Sequence, residues 1–269
     1  MTQYPVALLN RQYPWLKFLP TCGSTNTWAN EHHSALTHGD VVFTPQQTAG
    51  KGQQGKIWVS PPGCLTASFV LDGITGIPVG FTLVVGLAII EVIEELLPEL
   101  RHQLQLKWVN DVWLRGRKVA GILCERTGDR IIVGIGLNHR VTFVDPTSIG
   151  SPISLHEWVT QVPDELTLLV HIRQTLLKFV DRLICKGLSE FVTELNNRDG
   201  LMGHKIQVET EQCLITGEGM GLDEQGRLQV KTRDGQMWAI VNGRVVGWER
   251  RSKPTINPTS VSNLSEEWV

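Results

Sequence analysis

Three short stretches of this 269-residue chain gather residue types able to handle an anion. The first is the loop Gly50-Lys51-Gly52-Gln53-Gln54-Gly55-Lys56, preceded by Gln47 and closed by Trp58 and Ser60-Pro61-Pro62-Gly63. Glycines leave backbone N–H groups bare, and Lys51 and Lys56 add two cations, so such a loop can approach a phosphate closely. Its literal GxGxxG spacing is not a dinucleotide fingerprint, which needs a helix opening within the glycines. Here Ile57-Trp58-Val59-Ser60 reads as extended and two prolines follow. The Walker pattern fails for want of its terminal Lys-Ser/Thr. Taken alone, the loop reads equally well as solvated surface.

The second stretch is Lys107-Trp108-Val109-Asn110-Asp111, with Lys118 seven residues beyond the aspartate and Ala120-Gly121-Ile122-Leu123 after it. A hairpin across Arg115-Gly116-Arg117 lays the Asn110-Asp111 side against the strand carrying Lys118 to Gly121. A lysine so placed can hold a carboxylate and a phosphate together, while Gly121 admits a ligand close to the backbone. An ion pair between Asp111 and Lys118 at a hairpin rim is the plain structural alternative. The third stretch is Gly134-Ile135-Gly136-Leu137-Asn138. Two glycines weaken a strand unless something packs on its backbone, and Asn138 offers paired amide donors and acceptors; a β-bulge also explains the pattern.

The elements that must position these residues follow from periodicity. A short helix near Val6 to Asn10 and a strand over Trp15 to Leu19 open the chain. Ser24 or Thr25 then caps a helix with its body over Trp28 to Leu36, and a strand follows at Val41 to Thr44. A further strand ends near Leu71. Gly73 to Ile90 carries no charged residue, but its glycines and Pro78 divide it into a loop and a buried helix, about Val79 to Leu97, rather than a membrane span. Apolar runs at Gln105 to Leu114, Lys118 to Glu125 and Arg130 to Asn138 are separated by turns too short for parallel crossovers, so they predict an antiparallel meander. Helices are expected from Asp164 to Cys185 and from Ser189 to Asn196. Gly203 to Trp248 then alternates short strands with glycines, as in a small β-barrel. The expected division is a catalytic domain over residues 1–200, a small β-barrel over 201–249 and a flexible tail over 250–269. A sheet edge near Ile131 to Leu137 is either a candidate homodimer surface or paired within the chain.

Composition narrows the classes. Lys and Arg total 25 against 27 acidic residues, a formal net charge of −2, so no overall field draws the protein to nucleic acid or an anionic membrane. Five cysteines, odd in number and without CxxC spacing, read as reduced thiols of a cytoplasmic protein. No Cys/His pattern suggests a structural metal.

In order and spacing the three stretches, with Ser24-Thr25-Asn26 before them, resemble the catalytic core of the biotin–protein ligase family, or biotin–[acetyl-CoA carboxylase] ligases. Ser24-Thr25-Asn26 is similar to the family's early Ser-Thr-Asn, and residues 47 to 58 to its glycine-rich adenylate loop. Lys107-Trp108-x-Asn110-Asp111, Lys118-x-x-Gly121-Ile122-Leu123-x-Glu125 and Gly134-x-Gly136-x-Asn138 complete the likeness over roughly residues 15 to 140. It implies an α+β fold, a mixed or antiparallel sheet flanked by helices, of the class II aminoacyl-tRNA synthetase and biotin synthetase-like kind. It implies an enzyme that activates biotin with ATP and Mg²⁺ as biotinyl-5′-adenylate. The biotinyl group would then pass to a lysine of the biotin carboxyl carrier protein of acetyl-CoA carboxylase. By match of motif, Ser24, Thr25, Gln47, Lys118 and Gly121 would contact biotin or its carboxylate, and Trp58 would wall the adenine side. Asn110, Asp111 and Asn138 would help position ATP and Mg²⁺, while Lys51, Lys56 and Lys118 would act as catalytic cations at the α-phosphate. Asn26, Gly50, Gly52, Gln53, Gly55, Lys107, Ile122, Gly134 and Gly136 fill out the ligand-binding set.

Two departures stand out. Lys51, Gln53 and Lys56 occupy positions where the family commonly has arginine; lysine keeps the charge without the bidentate fork, and Gln53 loses both. Val109 stands where proline is usual. A winged helix-turn-helix precedes the catalytic core in some ligases, but about fourteen residues precede the first strand here, so DNA binding is not expected. A lipoate–protein ligase is the nearest alternative, disfavoured by the missing Arg-Arg-x-Ser-Gly-Gly-Gly loop. A biotin-binding protein with weakened catalysis is another.

Overall fold

The computed structural model describes residue 9 and residues 11–74, 76–143 and 152–249. Apart from Leu9, the expected opening helix lies outside the described residues, as does the expected tail over 250–269.

The first sheet collects β1 (Leu16–Phe18), β2 (Val41–Thr44), β3 (Cys64–Leu71), β4 (Leu104–Lys107), β5 (Asp111–Leu114), β6 (Arg117–Thr127) and β7 (Arg130–Asn138). Their order is β1-β2-β3-β7-β6-β5-β4, with β1 and β2 parallel and every other pair antiparallel, so the sheet is mixed. All eight residues of β3 are buried because both sheet faces are covered. On one face lies α1 (Thr25–Glu31), whose Ala29 packs with Val42, Val70 and Ile132. On the other lies α2 (Phe81–Leu96), itself backed by α3 (Glu165–Lys186). That sandwiching explains why α2 is apolar almost all round. Gly86 marks its closest approach, since a β-carbon there would press on Leu106. Among the described residues no helix is long and apolar enough to cross a membrane.

Local signals account for the helix ends. Ser24 caps α1, accepting from the Thr27 amide at 3.4 Å, and Asp164 caps α3, accepting from Thr167 at 2.8 Å. Gly187, with φ of 76°, ends α3. The first helix is shorter than the expected body over Trp28 to Leu36. The His32 ring stacks on Trp28 and its Nδ1 meets the Trp28 carbonyl, so side chains take over the last carbonyls and a 3₁₀ turn follows at His33–Ala35.

Two further expectations are corrected. Gln105 to Leu114 is not one strand but the hairpin of β4 and β5, pairing Lys107 with Asp111 across Trp108-Val109-Asn110. The peptide between Trp108 and Val109 is cis. Unbroken hydropathy hid this turn because Trp108 is itself buried. Nor is Ile131 to Leu137 a sheet edge: β7 pairs with β3 on one side and β6 on the other, and the sheet ends are β1 and β4.

After α4 (Val192–Asn197), the strands β8 (Lys205–Glu209), β9 (Leu214–Leu222), β10 (Leu228–Thr232), β11 (Met237–Ile240) and β12 (Arg244–Glu249) form an antiparallel sheet in the order β11-β10-β9-β8-β12. Its buried Ile206, Val208 and Val230 belong to the same apolar core as the first sheet. The segment entering it seals the outer edge of β4: Leu106 N–H donates to the Arg198 carbonyl and Gly200 N–H to the Leu106 carbonyl, both at 2.7 Å. Arg198 grips Glu94 of α2 through two bonds of 2.7 and 2.6 Å.

Asp199, in that seal, is buried with one carboxylate oxygen accepting from Leu201 N–H and the other unpartnered. Burial raises its pKa to about 6, the Leu201 bond opposing. The carboxyl therefore holds its proton more tightly folded than unfolded, and its contribution to stability falls as pH rises from about 4 through 6. Asp199→Asn is expected to flatten this dependence. Measured by thermal melts, its Tm relative to the parent should be several degrees more favourable at about pH 7.5 than at about pH 4.5. Parallel pH profiles would refute the assignment.

Candidate functional site

A cleft of about 450 Å³ opens over β6 and β7, walled by the loop of residues 47–60 and the end of β12. The side chains that line its inner end, Ser24, Thr25, Asn26 and Gln47, are neutral and polar. Gln47 Oε1 accepts from the Thr25 amide at 3.0 Å and its hydroxyl at 3.3 Å, while Gln47 Nε2 donates to Ser60 Oγ at 3.1 Å. Asn26 Nδ2 donates to Glu125 Oε2 at 2.7 Å, and the Ser68 hydroxyl lies 2.6 Å from Asn26 Oδ1 and 2.7 Å from Thr25 Oγ1. Gly134 is small because Asn26 occupies the place of its β-carbon. Such a pocket suits an uncharged ligand head bearing both donors and acceptors.

The outer end is cationic. Lys51, Lys56, Lys107, Lys118 and Arg244 line the cleft, and among its described lining residues Asp111 is the one carboxylate. Lys118 Nζ sits 2.6 Å from Asp111 Oδ1, as the hairpin geometry anticipated. Burial lowers the pKa of Lys107, with Asp111 opposing and the charges of Lys118, Arg244 and Lys56 adding to the shift. Lys56 is lowered by desolvation first, then by Arg244 and Lys118. Mutual repulsion among these groups is what an arriving polyanion would relieve.

Between the ends lies Trp58. Its ring rests where β-carbons of Gly121 and Gly136 would be, with Lys118 Nζ 5.3 Å from its centroid. Strand glycines thus serve to admit a flat ring against the backbone. The indole N–H is buried near the Cys64 thiol without a hydrogen bond of full geometry. Burial in turn pushes that thiol up to about 12, with Trp58 opposing.

The structure therefore brings together Ser24, Thr25, Asn26, Gln47, Lys51, Gly52, Gln53, Lys56, Trp58, Lys107, Asn110, Asp111, Lys118, Gly121, Ile122, Gly134 and Gly136. It places three expected residues outside the lining. Gly50 is buried where a β-carbon would strike the Gln47 amide and the Trp58 carbonyl, so it shapes the loop. Gly55, with φ of 74°, turns the loop tip. Asn138 is buried and spends its amide on the Lys118 carbonyl at 3.1 Å, while its own carbonyl accepts from Ser154 Oγ; it supports Lys118 from behind. Sequence reading missed Thr66 and, from the second sheet, Gly243 to Val246 and Trp248. Only Arg244 and Trp248 carried a chemical signal, and no local spacing ties them to the first sheet. Among the described residues no three His, Cys, Asp or Glu side chains gather to hold a metal.

Residues 18–139 match the model of the Biotin/lipoate A/B protein ligase family. The bifunctional ligase/repressor BirA of Escherichia coli is 28% identical over 236 residues, 84% of this chain and 72% of BirA. The biotin--[acetyl-CoA-carboxylase] ligase of Mycobacterium tuberculosis is 28% identical over 77% of this chain and 79% of its own length. A structure of the biotin protein ligase from Aquifex aeolicus in complex with biotin and ATP superposes with a TM-score of 0.77 at 28% identity, covering 87% of this chain and 98% of that one.

Proposed function

Because residues 18–139 belong to the Biotin/lipoate A/B protein ligase family, we propose that this protein joins biotin to a carrier protein, through biotinyl-5′-adenylate made from ATP. The observation that carries the reading is the two-ended cleft, with a neutral donor–acceptor network at one end, five cations at the other and a tryptophan between. The first sheet with its helices is read as class II aminoacyl-tRNA synthetase and biotin synthetase-like. The second is read as a small barrel beginning near residue 201.

Chemistry follows the layout. The biotin ring system would meet Thr25, Asn26 and Gln47, leaving its carboxylate directed along β6 toward Lys118. Attack of that carboxylate on the α-phosphate, with the α–β bond breaking and pyrophosphate leaving, brings two anions together, so fixed cations and N–H donors stabilise the crowded transition state. Lys118 spans both partners, while Lys51 and Lys56 close from the loop. Asn110 and Asp111, which line the outer end, would help hold the Mg²⁺ that accompanies ATP, and the ion would offset charge on the phosphates. Trp58 and the loop keep water from the mixed anhydride, which would otherwise hydrolyse. A carrier lysine then attacks the acyl carbon and AMP leaves. Because its target is a carrier of the acetyl-CoA carboxylase kind and its five cysteines are free, we place the protein in the cytoplasm. A homodimer built by strand pairing would use a sheet end such as β1 or β11.

The test is intact-mass analysis of a biotin carboxyl carrier domain incubated with this protein, Mg-ATP and biotin, with lipoate in parallel. One biotinyl increment that requires ATP supports the reading. Transfer of lipoate alone, or no transfer despite biotin binding, overturns it.

Gln53 lines the cleft as a neutral side chain. Gln53→Arg would add a charge-assisted, forked donor near the adenylate phosphate, and is expected to slow adenylate release by about five- to thirtyfold. A chase experiment on preformed adenylate reads this directly. An unchanged rate would show that Lys51 already supplies the contact.

A further inference from the structure

Lys107 reaches the cleft from the end of β4 between two indole rings. Its Nζ lies 5.4 Å from the centroid of Trp113 and 5.0 Å from that of Trp248. Trp113 belongs to β5, paired with Lys107's own strand, whereas Trp248 arrives on β12 of the second sheet. The two rings stand 4.9 Å apart at 42°, an open jaw with the ammonium at its mouth. Nζ also donates to the carbonyl of Val245, 138 residues along the chain, at 3.5 Å.

An ammonium in this position is under strain from two sources. It is largely withdrawn from water, and three cations, Lys118 on β6, Arg244 on β12 and Lys56 on the loop, repel it, against a single opposing carboxylate, Asp111 on β5. Asp111 is already engaged by Lys118. What compensates Lys107 is the negative face of the indoles, which attracts a desolvated cation without consuming its N–H donors. Of its three donors one is directed to Val245, so the others are free for an anion in the cleft.

We propose that Trp248 is a positioning residue for the nucleotide: its ring holds Lys107 in the cleft, aimed at the phosphates, so that the second sheet sets ATP affinity through one lysine of the first. The proposal rests on the reading of the cleft as an ATP site. It gives the second sheet a part in the chemistry that Arg244 alone does not require. Trp113, buried in the core, backs Lys107 from its own sheet at 5.4 Å, and Trp248 adds the second ring at 5.0 Å.

The experiment uses the full chain and follows biotin-dependent pyrophosphate release over a range of Mg-ATP. It compares the parent with Trp248→Leu, Trp248→Phe, Lys107→Met and the Lys107→Met/Trp248→Leu pair, each checked by thermal melting. Leucine keeps apolar packing without the quadrupole; phenylalanine keeps a weaker π face. Trp248→Leu should raise KM for ATP by about five- to thirtyfold while leaving KM for biotin and kcat within about twofold. Trp248→Phe should recover most of that loss. In the Lys107→Met background the leucine substitution should add less than about twofold, since the ring then has no cation to hold. Equal loss in the leucine and phenylalanine variants, an unchanged KM for ATP, or the same penalty without Lys107 would each overturn the proposal. Should Trp248→Leu melt below the assay temperature, the phenylalanine substitution with and without Lys107→Met serves instead, and additivity there overturns it. A parent that releases no pyrophosphate with biotin sinks the ligase reading and this proposal with it. A working parent with additive variants sinks the proposal alone.

Discussion

Lys118→Ala is expected to lower kcat/KM for biotin-dependent pyrophosphate release by about 10²- to 10³-fold, the loss typical of a preorganised charge at the reacting centre. Two effects combine. The substitution removes the outer-end cation that lies beside Trp58, 5.3 Å from its ring centroid. It also frees the Asp111 carboxylate, now held 2.6 Å from Lys118 Nζ, to face the incoming phosphates. Lys56, on the loop, and Lys107, held between Trp113 and Trp248, are not placed to take over its contact with Asp111. Folding should be little affected: the Lys118 side chain is 29% exposed, and a partly exposed pair contributes at most about 1 kcal/mol. Lys118→Arg, which keeps the charge but forks it, should retain part of the activity. A fall of less than about tenfold in the alanine variant would move Lys118 out of the reacting centre.

How much of this was legible in the sequence depended on distance along the chain. The Asp111–Lys118 contact was readable because a tight turn at Arg115-Gly116 fixes which residues of two adjacent strands meet. Gly121 and Gly136 were legible as places where something lies on the backbone, but the sequence did not name it. Trp58 does so only because residues 47–60 fold back over β6 and β7. The β4–β5 hairpin was hidden by the buried Trp108, since hydropathy cannot distinguish a continuous strand from a turn that is itself core. The wall made by Arg244 and Trp248 was not readable at all. Nothing in their local spacing differs from an ordinary edge strand, and they join the site through a packing of two sheets that only long-range burial determines. Asn138 shows the reverse case: a polar residue beside glycines suggested a ligand contact, and the structure places it outside the cleft lining, with its amide donating to the Lys118 carbonyl.

The two strand glycines also give the sharpest contrast for mutation. In Gly134→Ala the new methyl group meets Asn26 Oδ1, and Asn26 has nowhere to go. It is 3% exposed and tied to Glu125 Oε2 at 2.7 Å and to the buried Ser68 hydroxyl at 2.6 Å, so moving it breaks a charge-assisted bond and leaves the Ser68 hydroxyl short of a partner. The expected cost is about 2–3 kcal/mol, a fall in Tm of roughly 5–10 °C, with biotin affinity down by about tenfold or more. In Gly136→Ala the methyl group meets the Trp58 ring instead, which is half-buried and carried on a loop, with no hydrogen bond of full geometry to break. That ring can swing outward. Melting should shift by no more than about 2 °C, while KM for ATP rises by about tenfold because the wall of the cleft is displaced. Thermal melts and biotin titration of the two variants side by side decide whether the inner end is rigid and the middle adjustable. Equal destabilisation by both would mean that Trp58 is as fixed as Asn26, and that the loop over β6 and β7 is part of the core rather than a cover the ligand can move.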